Sequence, residues 1–407
     1  MSKKPYEGIR IIDPTHVLAG PFCCYQMAWF GAEVIKIEAV EPRDFIRYAS
    51  PEADLAKAGL SEGFLAQNAN KKSVVLNLKD PRGQDLFKRL AATSDAMVEN
   101  FQPGTMAGLG LGYDDIRAIN PKLVYCSLTG FGQTGPLRDV PAYDHLVQGI
   151  SAMASMQNGT TDPVRVGFPV IDYVVGLLGA FALSTALFQA RASGQGQYVD
   201  VSMLDSALVI MAPVVQQWLT SQRVPQSTGR RAFSGSPFSG IFETAEGMLV
   251  TAANTRAQAE SVLRVIGRED LIDDPDVLNW QGRPEVSDRV QPILFEAFAT
   301  RTALEWEALL GAASVPAGKL RDVPEIMAHP HVRERGLLHT IPDVPGIGRP
   351  IEVMGPGFRM ADPASMVSNP TPPPLKGADT RHYLREVGLS DADIDGLVSD
   401  GVTLVAD

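Results

Sequence analysis

Short apolar runs alternate with helical patterns through the first third of the chain, and this alternation limits the fold more than any other feature. Ile9–Asp13 reads as a strand, Ala19–Phe30 as a helix ending at a well-placed Gly31, and Glu33–Glu38 (EVIKIE) as a second strand. Strand, helix and strand joined by short links make a βαβ unit. The pattern repeats with a strand at Ser73–Leu78, a helix from Pro81 to Ala92, and strands at Asp95–Glu99 and Leu123–Leu128. Short helices are expected near Gly104–Met106 and Tyr113–Ile119. Such alternation predicts an α/β fold, a Rossmann-like parallel sheet with helices on both faces. Ligands of such sheets bind beyond the carboxyl ends of the strands. Chemistry is therefore expected in the loops 14–19, 79–83, 100–104, 129–135 and 167–172.

The last of these loops opens the most distinctive stretch. Asp172 stands at the mouth of a run, Val174–Ala190, that holds 17 residues without a charge. Arg191 closes the run, a Gly-rich turn follows at 193–197, then a strand around Tyr198–Val201 and a second apolar helix from Met203. A helix N-terminus carries partial positive charge and unsatisfied N–H groups. A carboxylate there is expected to stay ionised and available as a nucleophile. The plainer alternative makes Asp172 an N-cap only. The uncharged run is slightly short for a membrane span and contains Ser184, Thr185 and Gln189, so a buried helix is the expected reading.

Composition removes some function classes. With 407 residues, 45% hydrophobic and 20% charged, the chain has length for a large core and more than one domain. Its net charge of −11 offers no general basic surface for nucleic acid, and no membrane partner is expected. The three cysteines, Cys23, Cys24 and Cys126, form no CxxC and point to a reducing, cytoplasmic setting without disulfides or a thiolate metal site. The start, MSKKPYEGIRIID, lacks a signal-peptide apolar region.

Residues 221–240 (SQRVPQSTGRRAFSGSPFSG) read as a linker or mobile loop. After it come a hairpin over Ile241–Ala253 turning at 245–247, and helices near 256–266, 286–299 and 303–311. The expected division is a discontinuous large domain, 1–220 plus 335–407, and a small α+β domain, 221–334. The tail carries a stiff 368–374 segment and helices near 380–387 and 391–398. Other signals are weak. Gly108–Gly112 lacks the GxGxxG spacing and does not follow a strand, so no dinucleotide site is expected. His329 and His331 have no third ligand nearby in sequence, so no metal is expected. His16, on a strand-end loop, is the better ligand-contact candidate.

Six ordered stretches fit one family together. They are Asp13–Pro21 (DPTHVLAGP), EVIKIE, Asn70–Lys79 (NKKSVVLNLK), Val98–Gly104 (VENFQPG), Ser127–Pro136 (SLTGFGQTGP) and Gly194–Ser202 (GQGQYVDVS). The chain resembles the class III CoA-transferases, the CaiB/BaiF group. The resemblance is dense from Gly8 to Ala207 and resumes near 378–390. It implies coenzyme A as an acyl-CoA substrate, a carboxylic acid partner, no metal, and a homodimer of two interlocked rings. It aligns Asp172 with the family's nucleophile. It aligns His16, Ala19, Leu76, Asn77, Lys79, Asn100 and Phe101 with CoA-contacting positions, and Tyr143 with Asp144 as an aromatic-acidic pair beside the site.

Several positions depart from the family pattern. Ala39, Gly108 and Pro141 stand where relatives carry basic residues for CoA phosphates, leaving Arg43, Arg47, Lys71, Lys72 and Lys79 as substitutes. Ala49 stands where an oxalate-type relative has tryptophan, and Ser234-Gly235-Ser236 replaces its glycine-rich lid. Arg43, Arg47, Arg230 and Arg231 offer forks for a second carboxylate, which suggests a dicarboxylic acid. The resemblance thus implies CoA transfer from an acyl-CoA to a carboxylate through an aspartyl anhydride and aspartyl-CoA thioester. The alternatives are an acyl-CoA isomerase of the α-methylacyl-CoA racemase kind and a non-catalytic CoA-binding protein. The racemases need a proton-relay His where Tyr143 stands, with His145 on another helix face.

Overall fold

The computed structural model describes residues 4–406 except 157–162, 226, 228, 281 and 282. Two positions of the expected linker, 226 and 228, thus lie outside the described residues. Strands β1 (Arg10–Asp13), β2 (Glu33–Glu38), β3 (Lys71–Leu76), β4 (Ala96–Glu99), β5 (Val124–Thr129) and β6 (Tyr198–Ser202) form one sheet in the order β3-β2-β1-β4-β5-β6. All these pairs are parallel. Strand order reverses between β1 and β4, which is where open α/β sheets form a crevice. The inner strands are buried on both faces, as their unbroken Ile, Val and Met runs require.

A two-residue strand, Thr403–Leu404, pairs antiparallel with β3 and closes that edge. It is too short for a period-2 signal. β3 starts at Lys71, two residues before the expected Ser73, because Lys71 is itself a buried core member.

Helix α1 (Ala19–Trp29) follows β1. Helix α2 (Pro81–Ala92) starts with proline at its first position, capped by Asp80 accepting from the Arg82 N–H at 2.8 Å. Short helix α3 (Asp144–Ile150) precedes the long α4 (Val170–Ser193), which stops at Gly194 with φ +72°. Helix α5 (Met203–Ile210) is capped by Ser202. Side-chain-free Gly176 and Gly179 seat α4 tightly: added Cβ atoms would stand 2.8 Å from Ala19 O and 2.9 Å from Leu128 Cδ2. The opposite face of α4 stays open, with Phe181 and Phe188 71% and 80% exposed. The expected buried helix is thus buried along one face only. By length and composition α4 would also cross a membrane, yet one face packs on α1 and β5.

The described residues fall into two compact units, 1–151 with 166–215 and 333–407, and 152–165 with 216–332. Of the described residues, 152–156 and 163–165 thus group with the second unit, which no composition shift announces. The second unit holds an antiparallel sheet of β7 (Ser239–Glu243), β8 (Met248–Ala252) and β9 (Ala317–Lys319). Its own core gathers Phe238, Phe242, Trp280, Phe298 and Trp306.

Candidate active site

A chamber of about 340 Å³ opens beyond the carboxyl ends of β1, β4 and β5. Its wall includes His16, Ala19, Asn100, Phe101, Arg138, Tyr143 and Asp172. Residues far apart in sequence meet here because the reversal of strand order parts the β1 and β4 loops. Asn100 ties those loops together: its Oδ1 accepts the His16 N–H at 3.0 Å, and its Nδ2 donates to His16 O at 2.8 Å. The His16 ring packs edge-to-face on Phe101 at 4.7 Å. Burial lowers the His16 pKa, so its imidazole is neutral at pH 7.

Val17 sits at φ +65°, a strained conformation for a β-branched residue. Both its backbone groups are held. Its N–H donates to Asp44 Oδ1 at 3.1 Å, and its O accepts from Gln67 Nε2 at 2.6 Å. The loop is thus fixed before any ligand arrives.

Asp172 is the third residue of α4, and Pro169 is the N-cap, so the cap reading of Asp172 is corrected. The capping carboxylate is Asp144. Its Oδ2 accepts the N–H of Ile171 at 2.6 Å and of Asp172 at 3.2 Å, while its Oδ1 accepts from Gln148 Nε2 at 2.6 Å. The adjacent first-turn donors are also taken, Val170 N–H by Phe168 O and Tyr173 N–H by Pro169 O. The helix start therefore offers no spare N–H to stabilise an oxyanion. Nor is Asp172 held strongly ionised as the helix-dipole argument expected. Burial first, then the Asp144 charge, push its pKa up to about 7. Helix-end fields are worth little once a second carboxylate occupies the end.

The sequence model of CoA-transferase family III matches residues 6–380. The chain belongs to the family III CoA-transferases. It is 34% identical over 403 residues to the succinyl-CoA:glutarate CoA-transferase of Mus musculus, covering 98% of this chain and 91% of that one. It is 36% identical over 364 residues to the succinate–glutarate CoA-transferase of Agrobacterium fabrum, covering 86% and 89%. The crystal structure of a CaiB/BaiF family protein from Brucella suis superposes with a TM-score of 0.81 at 25% identity, covering 95% of this chain and 100% of that one. The protein is thus an enzyme of CoA transfer, acting on acyl-CoA thioesters and carboxylates.

In this CoA-transferase the remaining candidate residues divide sharply. Leu76, Asn77 and Lys79 do not line the chamber: they stand at the end of β3, two strands from β1. Leu76 is core, the Asn77 N–H donates to Val402 O, and Lys79 is exposed. Two of the expected phosphate-holding cations are internal instead. Arg47 is 1% exposed and grips Glu38 through both carboxylate oxygens at 2.7 and 2.8 Å, with further bonds to Gly59 O and Pro374 O. Lys71 Nζ donates to Asp13 Oδ2 at 2.9 Å and to Pro21 O at 2.8 Å. A cation buried this way is committed to its partner, since leaving that carboxylate unpaired costs about 3–5 kcal/mol. Lys72 pairs with Asp379 at 3.6 Å, and Arg230 with Glu243 at 3.0 Å.

One residue on the chamber wall and one in the chain next to it escaped sequence reading. Arg138, in the loop before α3, lines the chamber. Glu99, at the end of β4, accepts the Phe101 N–H at 2.8 Å and the Ser127 hydroxyl, and the Ser127 oxygen is 2.9 Å from Tyr198 OH. Burial, opposed only in part by these bonds, pushes Glu99 up to about 7. The VENF stretch placed Glu99 beside Asn100 and Phe101, but nothing local showed that it lacks a cation.

Proposed function

We propose that Asp172 carries the acyl group and then the CoA of a dicarboxylic acid exchange. The observation that supports this most is the placing of Asp172 on the chamber wall, half-buried, with a second carboxylate rather than a cation beside it. Poor solvation leaves such a carboxylate a better nucleophile than one in water, and a pKa near 7 keeps a large fraction ionised at neutral pH. Asp172 attacks the thioester carbonyl, the C–S bond breaks, and CoA thiolate leaves a mixed anhydride. The thiolate attacks the aspartyl carbonyl, which frees the donor acid and forms an aspartyl-CoA thioester. The acceptor carboxylate then displaces the thiolate to form a second anhydride. The thiolate attacks the acceptor's acyl carbon, giving the new thioester and restoring the Asp172 carboxylate. Asp144 holds the helix start and Gln148, so its role is to position Asp172.

A diacid fits the relatives in mouse and Agrobacterium fabrum, whose names carry succinyl-CoA or succinate together with glutarate. The isomerase reading has less support: Tyr143 lines the chamber where a relay His is required, and His145 is outside its wall. The exposed Phe181 and Phe188 of α4 suit the second chain of a homodimer. A single chain that stays folded at nanomolar concentration in sedimentation would count against the dimer. The mechanism is tested by mixing enzyme with succinyl-CoA alone, trapping with hydroxylamine, and mapping peptides. Modification is expected at Asp172. An unmodified Asp172 peptide from enzyme that is turning over overturns the scheme.

A further inference from the structure

The sequence offered four arginines for a second carboxylate, and the structure redirects that choice. Arg47 is buried in its pair with Glu38, and Arg43, Arg230 and Arg231 do not line the chamber. The one arginine on the wall of the described chamber is Arg138. Among the described residues its ion-pair partner within 4 Å is its neighbour Asp139, touching Nε at 3.9 Å. That long contact leaves the terminal N–H groups of the guanidinium unassigned, and its side chain is 43% exposed, open to an incoming anion. Much of the rest of the wall is apolar, including Phe101, Leu128, Val140 and Val175. Asp172 supplies negative charge on the same wall, so an anionic substrate needs a cation to enter.

We propose that Arg138 selects a dicarboxylic substrate, its planar fork holding the carboxylate remote from the one activated at Asp172. Resting on the transferase reading above, this names the group that sets its substrate class. Bidentate guanidinium–carboxylate pairing provides both energy and geometry. About 340 Å³ is near the lower end of small-ligand pockets, ~300–1,000 Å³, and suits a short diacid. The pantetheine arm is longer than such a chamber is wide. Arg138 and Asp172 share the wall of this one chamber.

The experiment measures transfer from succinyl-CoA to glutarate and to valerate, equal in carbon count, by wild type and Arg138→Gln. The ratio of kcat/KM for glutarate over valerate is expected to fall at least ~10-fold, the lower bound for losing a charge-assisted hydrogen-bond pair. Arg138→Lys keeps the charge without the fork and should recover part of the ratio. An unchanged ratio overturns the proposal. So does a KM rise for acetyl-CoA, a donor without a second carboxylate, at constant ratio, which would assign Arg138 to CoA phosphates. Absence of transfer by wild type with every acceptor would count against the Asp172 reading. Calorimetric titration of glutarate into both proteins still decides on Arg138, because equal affinities would overturn its role.

Discussion

The two halves of the central sheet treat buried carboxylates in opposite ways. On the β1–β2–β3 side, acids are buried with cations. Burial alone would raise Asp13 and Glu38, but Lys71 and Lys36 outweigh it at Asp13, and Arg47 holds Glu38 down at about 2. On the β4–β5–β6 side and along α4, acids are buried without cations. Glu99 and Asp172 both rise to about 7, each with a further carboxylate nearby, Asp200 and Asp144. Paired acids stay charged, stiff and unreactive. Unpaired ones can change protonation near neutral pH, as perturbed groups at functional sites commonly do. The crevice lies where these two regimes meet, between β1 and β4.

The largest effect expected from breaking this contrast is on Asp172. Asp172→Asn should cut kcat by ~10³-fold or more, since an amide cannot form the anhydride. For the wild type, kcat/KM should rise about tenfold per pH unit below 7 and level off above it, because the ionised form attacks. The stability sign is opposite. An acid raised from its unfolded value near ~4 binds its proton more tightly when folded, so its contribution falls as pH rises from about 4 to 7. Asp172→Asn is therefore expected to melt a few degrees (~2–4 °C) higher than wild type at pH 8, with the gap closing at pH 4. A flat pH–rate profile through 7 would break the contrast.

Next comes the paired half. Arg47→Ala strands Glu38 and should cost about 3–5 kcal/mol in denaturant unfolding. The Glu38 pKa lies below its unfolded value, so the pair's stabilisation is present above about pH 4.5 and is lost as pH falls towards 2. A loss under ~1 kcal/mol would show the pair to be solvated and weak.

The smallest effect is expected at Glu99. Glu99→Gln resembles the protonated acid and keeps an acceptor for the Phe101 N–H, so KM for succinyl-CoA should shift only about two- to fivefold. Stability above pH 7 should rise slightly, as a buried unpaired charge is removed. A loss as large as that of Arg47→Ala would place Glu99 in the paired class instead.

Local sequence determined much of this protein. Apolar runs of strand length, Pro81 at a helix start, and glycines at 31 and 194 marked a parallel α/β sheet and the elements around its crevice. The ordered motifs brought Asp172, His16, Asn100 and Phe101 forward, and all four line one chamber. Their covalent order carries no information on charge pairing. Arg47 and Lys71 read as candidate holders of CoA phosphates, yet Glu38 and Asp13 lie against them, 9 and 58 residues away in sequence. Asp144 reaches the start of α4 across 27 residues and takes the capping role that was the plainer alternative for Asp172. Arg138 stood unremarked in a loop with no motif. Periodicity and turn chemistry act between near neighbours, so sequence reveals them. Burial and pairing act through space, and only the folded chain decides which carboxylate receives a cation and which is left to react.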